Sequence, residues 1–160
     1  MIFDRRCFVG MIAAVFVAEQ SFAESHEPVI LTVTGLEEVA EYRLSDLEAL
    51  GLWTVETSTI WSDGVQDFVG VSLLALLQDL GVTEGAFMAR AINDYAVEVP
   101  VSDAVENGPI IAHHRNGEPM SIRDKGPLWL IYPYDQNAEY RSEVIYSRSI
   151  WQLDRIEILP

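Results

Sequence analysis

Three two-residue turn signals, Asp63-Gly64, Asn93-Asp94 and Asn116-Gly117, each sit between runs rich in β-branched and aromatic residues. Asp-Gly and Asn-Gly take the positive-φ geometry of tight hairpins at little cost, so such spacing predicts consecutive strands folding back on one another. Before the first turn, Trp53, Val55, Thr57, Thr59 and Trp61 alternate with Thr54, Glu56, Ser58 and Ile60, the period of one long strand. Val65 to Val71 returns from that turn. Phe87 to Ile92 and Tyr95 to Val99 flank the second, and Ile110 to Arg115 leads into the third. Val29 to Thr34, the apolar Leu128 to Tyr132 and Trp151 to Leu159 read as further strands. Short helices are expected at Ser45-Asp46-Leu47-Glu48, a capping-box pattern stopped at Gly51, at Leu73 to Leu80 behind Ser72, and at Ser102 to Asn107. Tyr134 to Ser149 shows no period and reads as an irregular loop. Roughly nine strands and three short helices in one unit predict an α+β fold, mainly antiparallel β with short helices.

Charge narrows the partners. Acids outnumber bases 25 to 10, for a net charge of −15. Phosphate backbones need clustered Lys and Arg, so nucleic acid is excluded as a partner, as is direct binding to an anionic membrane. Residues 1–23 read as a secretory signal peptide: Arg5 and Arg6, an apolar run from Cys7 to Ala18, and small residues in Ser21-Phe22-Ala23. Arg5-Arg6 also resembles a twin-arginine signal. The expectation is a periplasmic protein with residues 24–160 as a single domain. Cleavage would remove Cys7, the one cysteine, which leaves no disulfide and no thiolate metal site.

No catalytic device is legible. There is no nucleophile elbow, phosphate loop or dinucleotide glycine pattern. His26 lies in the polar lead-in, and His113 and His114 are neighbours on an expected strand, which points them to opposite faces. Catalytic and metal-binding residues are therefore expected to be absent. What does gather at turns and loops is polar and aromatic: Trp61, Asn93-Asp94-Tyr95, Arg123-Asp124, Tyr134 and Arg148. Such residues suit a flat heteroaromatic ligand. An aromatic face stacks on the ring for ~1–3 kcal/mol, and a carboxylate accepts from its N–H edge for ~1.5–3 kcal/mol per bond.

The order and spacing of several stretches resemble the molybdopterin-binding domain of the sulfite-oxidase family. They are Phe68-Val69-Gly70-Val71-Ser72 with the leucines after it, Ile92-Asn93-Asp94-Tyr95 through Pro100, Gly117-Glu118-Pro119-Met120, Gly126-Pro127-Leu128-Trp129-Leu130-Ile131-Tyr132-Pro133, and Trp151-Gln152-Leu153 with Ile156. The resemblance implies the sulfite-oxidase-type molybdopterin-binding fold with a pterin cleft. It also implies a cysteine thiolate on molybdenum at the position of Thr57, and basic residues after Tyr132-Pro133 to take the cofactor's phosphate. The sequence departs at both. A threonine hydroxyl is a hard, weakly acidic donor and no substitute for a thiolate. Asp135 and Glu139 fall in the phosphate region, where carboxylates repel a dianion, with Arg141 or Arg148 as the cations that could compensate.

By that resemblance the chain is similar to small exported pterin-binding members of the fold. The expected ligand is a pterin, with no tightly bound cofactor and without molybdenum. Trp61 would stack on the ring, Asp94 or Asp124 would read its amino edge, and Asn93, Tyr95, Arg123, Tyr134 and Arg148 would line the cleft beside Thr57. The implied partner is a membrane sensor of cyclic-di-GMP or histidine kinase type. The alternatives are a molybdopterin-dependent oxidoreductase with atypical metal ligation and a ligand-free interaction domain.

Overall fold

The computed structural model describes residues 27–160; the expected signal peptide (1–23) and His26 lie outside the described residues. Ten strands form two five-stranded sheets. β1 (Val29–Thr34), β2 (Ala40–Arg43), β5 (Ala86–Ala91), β6 (Ala96–Pro100) and β10 (Leu153–Ile158) make the first, in the order β2-β1-β10-β5-β6. β3 (Leu52–Ser58), β4 (Val65–Ser72), β7 (Ile110–Arg115) and β8 (Glu118–Pro119) make the second in that order, with β9 (Trp129–Ile131) also on β7. Only β1 and β10 run parallel. Mainly antiparallel β with few short helices is therefore the observed class.

The hairpin signals hold. Asn116 and Gly117 both take positive φ and join β7 to β8, and β3 and β4 pair over seven consecutive positions around the Asp63-Gly64 loop. A buried apolar core lies between the sheets: Leu31, Val33, Phe68, Val71, Phe87, Ile110, Ile111 and Trp129 are all essentially inaccessible. Fully burying one such side chain contributes ~1.5–3 kcal/mol.

Several expected boundaries move. The long strand ends at Ser58, because the Thr59 hydroxyl accepts the Trp61 N–H at 3.1 Å and bonds Ser62 at 2.7 Å, turning the chain. β2 carried too short a pattern to be read. Helix α1 (Leu44–Ala49) begins one residue before Ser45, capped where the Asp46 carboxylate accepts the Arg43 N–H at 2.8 Å. Helix α2 (Leu73–Asp79) starts after Ser72 as expected, but without a side-chain cap bond. The helix expected at Ser102 to Asn107 is a single 3-10 turn, Val101–Asp103. The third α-helix, α3 (Glu143–Arg148), lies instead inside the segment read as irregular, with Ser142 accepting the Ile145 N–H.

The largest departure is at the histidines. Val69 pairs with His114 but Gly70 pairs with Ala112, so β7 carries an extra residue, His113, as a β-bulge. The alternation breaks there, and the two rings meet with their Nδ1 atoms 2.6 Å apart instead of facing opposite ways. Gly70 is required beside the bulge: a Cβ there would sit 2.0 Å from the Ile111 carbonyl oxygen.

Candidate functional site

A cleft of about 350 Å³ opens between the β3–β4 loop, the β5–β6 turn, α3 and the segment before β10, within the usual ~300–1,000 Å³ of small-molecule sites. Trp61 enters it from the β3–β4 loop. Asn93 and Tyr95 come from the β5–β6 turn, Tyr146 and Ser147 from α3, and Ile150 and Trp151 from the segment leading into β10. That last segment is pinned between the sheets: the Ile150 carbonyl accepts the Leu130 N–H at 2.9 Å, and Gln152, at φ +53, accepts the Ile92 N–H at 2.9 Å.

Trp61 is the hub of the cleft's wall. Its ring meets Trp129, Tyr134, Tyr146 and Trp151 edge-on, at centroid distances of 5.8, 6.4, 5.7 and 5.6 Å. Such pairs add ~0.5–1.5 kcal/mol beyond burial and fix the indole. The polar atoms behind the wall are satisfied. Tyr134 donates to the Ser149 hydroxyl at 2.6 Å, Ser149 donates to the Ile145 carbonyl at 2.8 Å, and the Trp129 N–H donates to the Ser149 carbonyl at 3.1 Å. Burial pushes the Tyr134 phenol well above its ordinary pKa and keeps it a neutral donor. Among the described residues, no Asp, Glu, Lys or Arg lines the cleft. Lys125 stands just behind it, its ammonium 4.0 Å from the Trp151 ring centroid, and burial lowers its pKa.

A second cavity, about 300 Å³, shares Tyr146 with the first and is more polar than it. Asp135 dominates it. Its carboxylate accepts from the Ser58 N–H at 2.6 Å, the Ser58 hydroxyl at 2.7 Å and the Arg141 guanidinium at 2.9 Å. The Ser58 bonds, with Arg141 behind them, hold its pKa below the usual carboxylate value.

Among the expected site residues, the structure brings Trp61, Asn93 and Tyr95 into the cleft and places Tyr134 behind its wall. The others go elsewhere. Asp94 is ion-paired with Arg155 at 2.8 Å. Arg123 and Asp124 form an exposed 3-10 turn, with Asp124 accepting the Ser121 hydroxyl at 2.7 Å. Arg148 points to Asp103 at 3.0 Å, which also accepts the Tyr132 hydroxyl at 2.7 Å. None of these four lines the cleft: Asp94 and Arg148 are ion-paired with Arg155 and Asp103, and Arg123 and Asp124 lie on an exposed turn, so amino-edge reading by Asp94 or Asp124 and cleft lining by Arg123 or Arg148 find no support in the cavity's lining. Tyr146, Ser147 and Trp151 were missed. The Ser142 cap followed by Val144 and Ile145 was the signal for α3, and α3 is what turns Tyr146 inward.

A family model described as the oxidoreductase molybdopterin binding domain matches residues 24–139. The chain belongs to this family. Its fold is the sulfite-oxidase-type molybdopterin-binding fold. The solved structure of the sulfane dehydrogenase SoxCD from Paracoccus pantotrophus is similar, with a TM-score of 0.61 over 80% of this chain at 17% identity. At that identity the likeness is one of fold, and this chain covers 37% of the SoxCD chain. No curated protein matches the sequence.

The family's ligand is molybdopterin, and its ring, metal and phosphate fit this molybdopterin-binding domain unequally. The aromatic cleft suits the pterin ring. For the metal, the described residues offer no thiolate at the position the resemblance gives one. Thr57, at the position where the resemblance puts a thiolate, is fully buried; its hydroxyl donates to the Ser58 carbonyl at 3.2 Å and accepts the Asp135 N–H at 3.1 Å. Among the described residues no cluster of His, Cys, Asp and Glu has metal-binding geometry. The phosphate fares no better, because the two arginines that could compensate the acidic loop are each paired: Arg141 with Asp135 and Arg148 with Asp103.

Proposed function

We propose that this molybdopterin-binding domain works as an exported, non-catalytic module that holds a pterin without metal or phosphate and presents it to a membrane signalling protein. The observation that carries the reading is the neutral aromatic cleft around Trp61, set beside a Thr57 hydroxyl already committed to the backbone. Stacking supplies ~1–3 kcal/mol per ring. Asn93 and Ser147 offer the neutral donors and acceptors that a pterin edge needs, at ~0.5–1.5 kcal/mol per bond. Export rests on the leader expected at residues 1–23, and the signalling partner on the resemblance.

Titration of the chain with reduced and oxidised pterins, followed by tryptophan fluorescence, tests ligand binding. Saturable binding with Kd below about 1 mM is expected, and its absence at that concentration overturns the reading. Elemental analysis of protein purified from its native host tests the absence of metal. Stoichiometric molybdenum would favour the second reading, an oxidoreductase with atypical ligation, which membership of an oxidoreductase family supports.

A further inference from the structure

We propose that the outer edge of β3 is a docking site for an extended basic segment of another protein, added to the second sheet as a sixth strand. β3 pairs with β4 at every position from Leu52 to Ser58 without a register shift, and among the described residues no strand pairs with its other side. An open edge presents a row of unpaired N–H and C=O groups, which proteins ordinarily blunt with Lys, Pro, a bulge or shortness. The other edges follow that rule. β2 has four residues and a bulged register, β6 ends in Pro100, and β8 has two residues. β3 lacks Lys, Pro, a bulge and shortness, carries Glu56 as its one charge, and exposes Leu52 and Trp53, at 55% and 45%.

A groove lies over the face of the second sheet near the Trp53 end of β3, on the side of β4 and β7. Trp53 forms one wall, Leu74 and Ala75 of α2 another, and Glu106 and Asn107 close it. It is sized for one side chain, at about 160 Å³. Strand addition characteristically combines main-chain bonds along an edge with pockets for alternate side chains.

Charge identifies the occupant. From Leu44 to Ala89 the sequence carries seven carboxylates and no Lys or Arg, and this stretch supplies α1, β3, β4 and α2. Glu56 lies exposed on β3 opposite the exposed Asp67 on β4, and Glu106 sits in the groove. A second copy, at net charge −15, would be repelled. A segment alternating Arg or Lys with apolar residues meets opposite charge along the edge, and its Arg can stack on the half-exposed Trp53 indole. The docking edge is independent of what the cleft binds.

The test uses the full chain and two short synthetic peptides. One alternates Arg with Val; the other carries Glu at each Arg position. The basic peptide is expected to bind, to slow exchange of those amides between Leu52 and Thr57 that do not bond β4, and to lose affinity as salt rises, while the acidic peptide does not bind. Thr54→Lys and Trp53→Ala change exposed positions and should each weaken binding about tenfold or more, with melting temperatures near that of the parent. Three results would overturn the proposal: binding that ignores Thr54→Lys, β3 amides already protected in the free chain by its own N-terminal segment, or a dimer that Thr54→Lys dissociates.

Discussion

The cavity around Trp61 and the cavity around Asp135 share Tyr146 as a wall, yet one is lined by rings and neutral polar groups and the other by a carboxylate–guanidinium pair. A family ligand with an aromatic ring and an anionic tail would need the first to be flat and apolar and the second to be cationic. Here only the first condition is met. Asp135 does not simply fail to bind phosphate; it occupies Arg141, the one guanidinium lining that cavity. On the proposed reading, the Trp61 cavity would take the ring, and the Asp135–Arg141 pair would leave the second cavity without a free cation for an anionic tail.

Three measurements break or sharpen that contrast, and a fourth is its control. Trp61→Ala removes the hub of four aromatic contacts. It should cost about 2–3 kcal/mol of stability, somewhat below a fully buried ring, and at least about tenfold in pterin affinity. Denaturant unfolding and the fluorescence titration read the two effects, and unchanged affinity would mean that the ring binds elsewhere. Asp135→Asn should release Arg141. Calorimetry with a phosphorylated pterin should then show a gain of about tenfold, roughly 1.4 kcal/mol, with the unphosphorylated ring unaffected. If the phosphorylated ligand gains nothing, Asp135 is not what neutralises the second cavity.

Tyr134→Phe deletes the bond to Ser149 but leaves Ser149 bonded to Ile145, so about 1 kcal/mol of stability is expected to go. Pterin affinity should stay within about twofold, because Tyr134 stands behind the wall. The last measurement should leave the contrast untouched. His113 is buried with its Nε2 unpartnered, 4.0 Å from the Glu48 carboxylate. Burial first, and then the His114 charge, hold its pKa below 6.5. The unfolded chain therefore binds the proton more readily, so stability from neutral His113 is full above about pH 6.5 and is lost as pH falls through the lower folded value. Thermal melts from pH 7 to 5 should fall for the parent and flatten for His113→Gln, with pterin binding at pH 7 equal in both.

Legibility followed how local each signal was. β7 (Ile110–Arg115) was read to the residue and β4 to within one, because alternation and flanking turns are carried by the elements themselves. Trp61, Asn93 and Tyr95 were found as cleft residues because they sit on the turns that form its mouth. α3 was lost, since six residues give little more than one turn of periodicity and only the Ser142 cap marks it. With it went Tyr146 and Ser147. Asp94, Arg123, Asp124 and Arg148 were chosen as chemically apt, but a side chain's type does not say which neighbour takes it, and Arg155 and Asp103 are distant in sequence.

The sequence by itself determined the antiparallel hairpins, the missing thiolate and the acidic loop after Tyr132-Pro133, because turn chemistry and residue identity need no partner to be read. Tertiary structure alone decided which charges are spent, that two neighbouring histidines share a hydrogen bond, and that Trp61 and Trp151 face one cleft. Those outcomes depend on side chains brought together across two sheets, and on one extra residue in β7 that reverses the alternation a strand would otherwise impose.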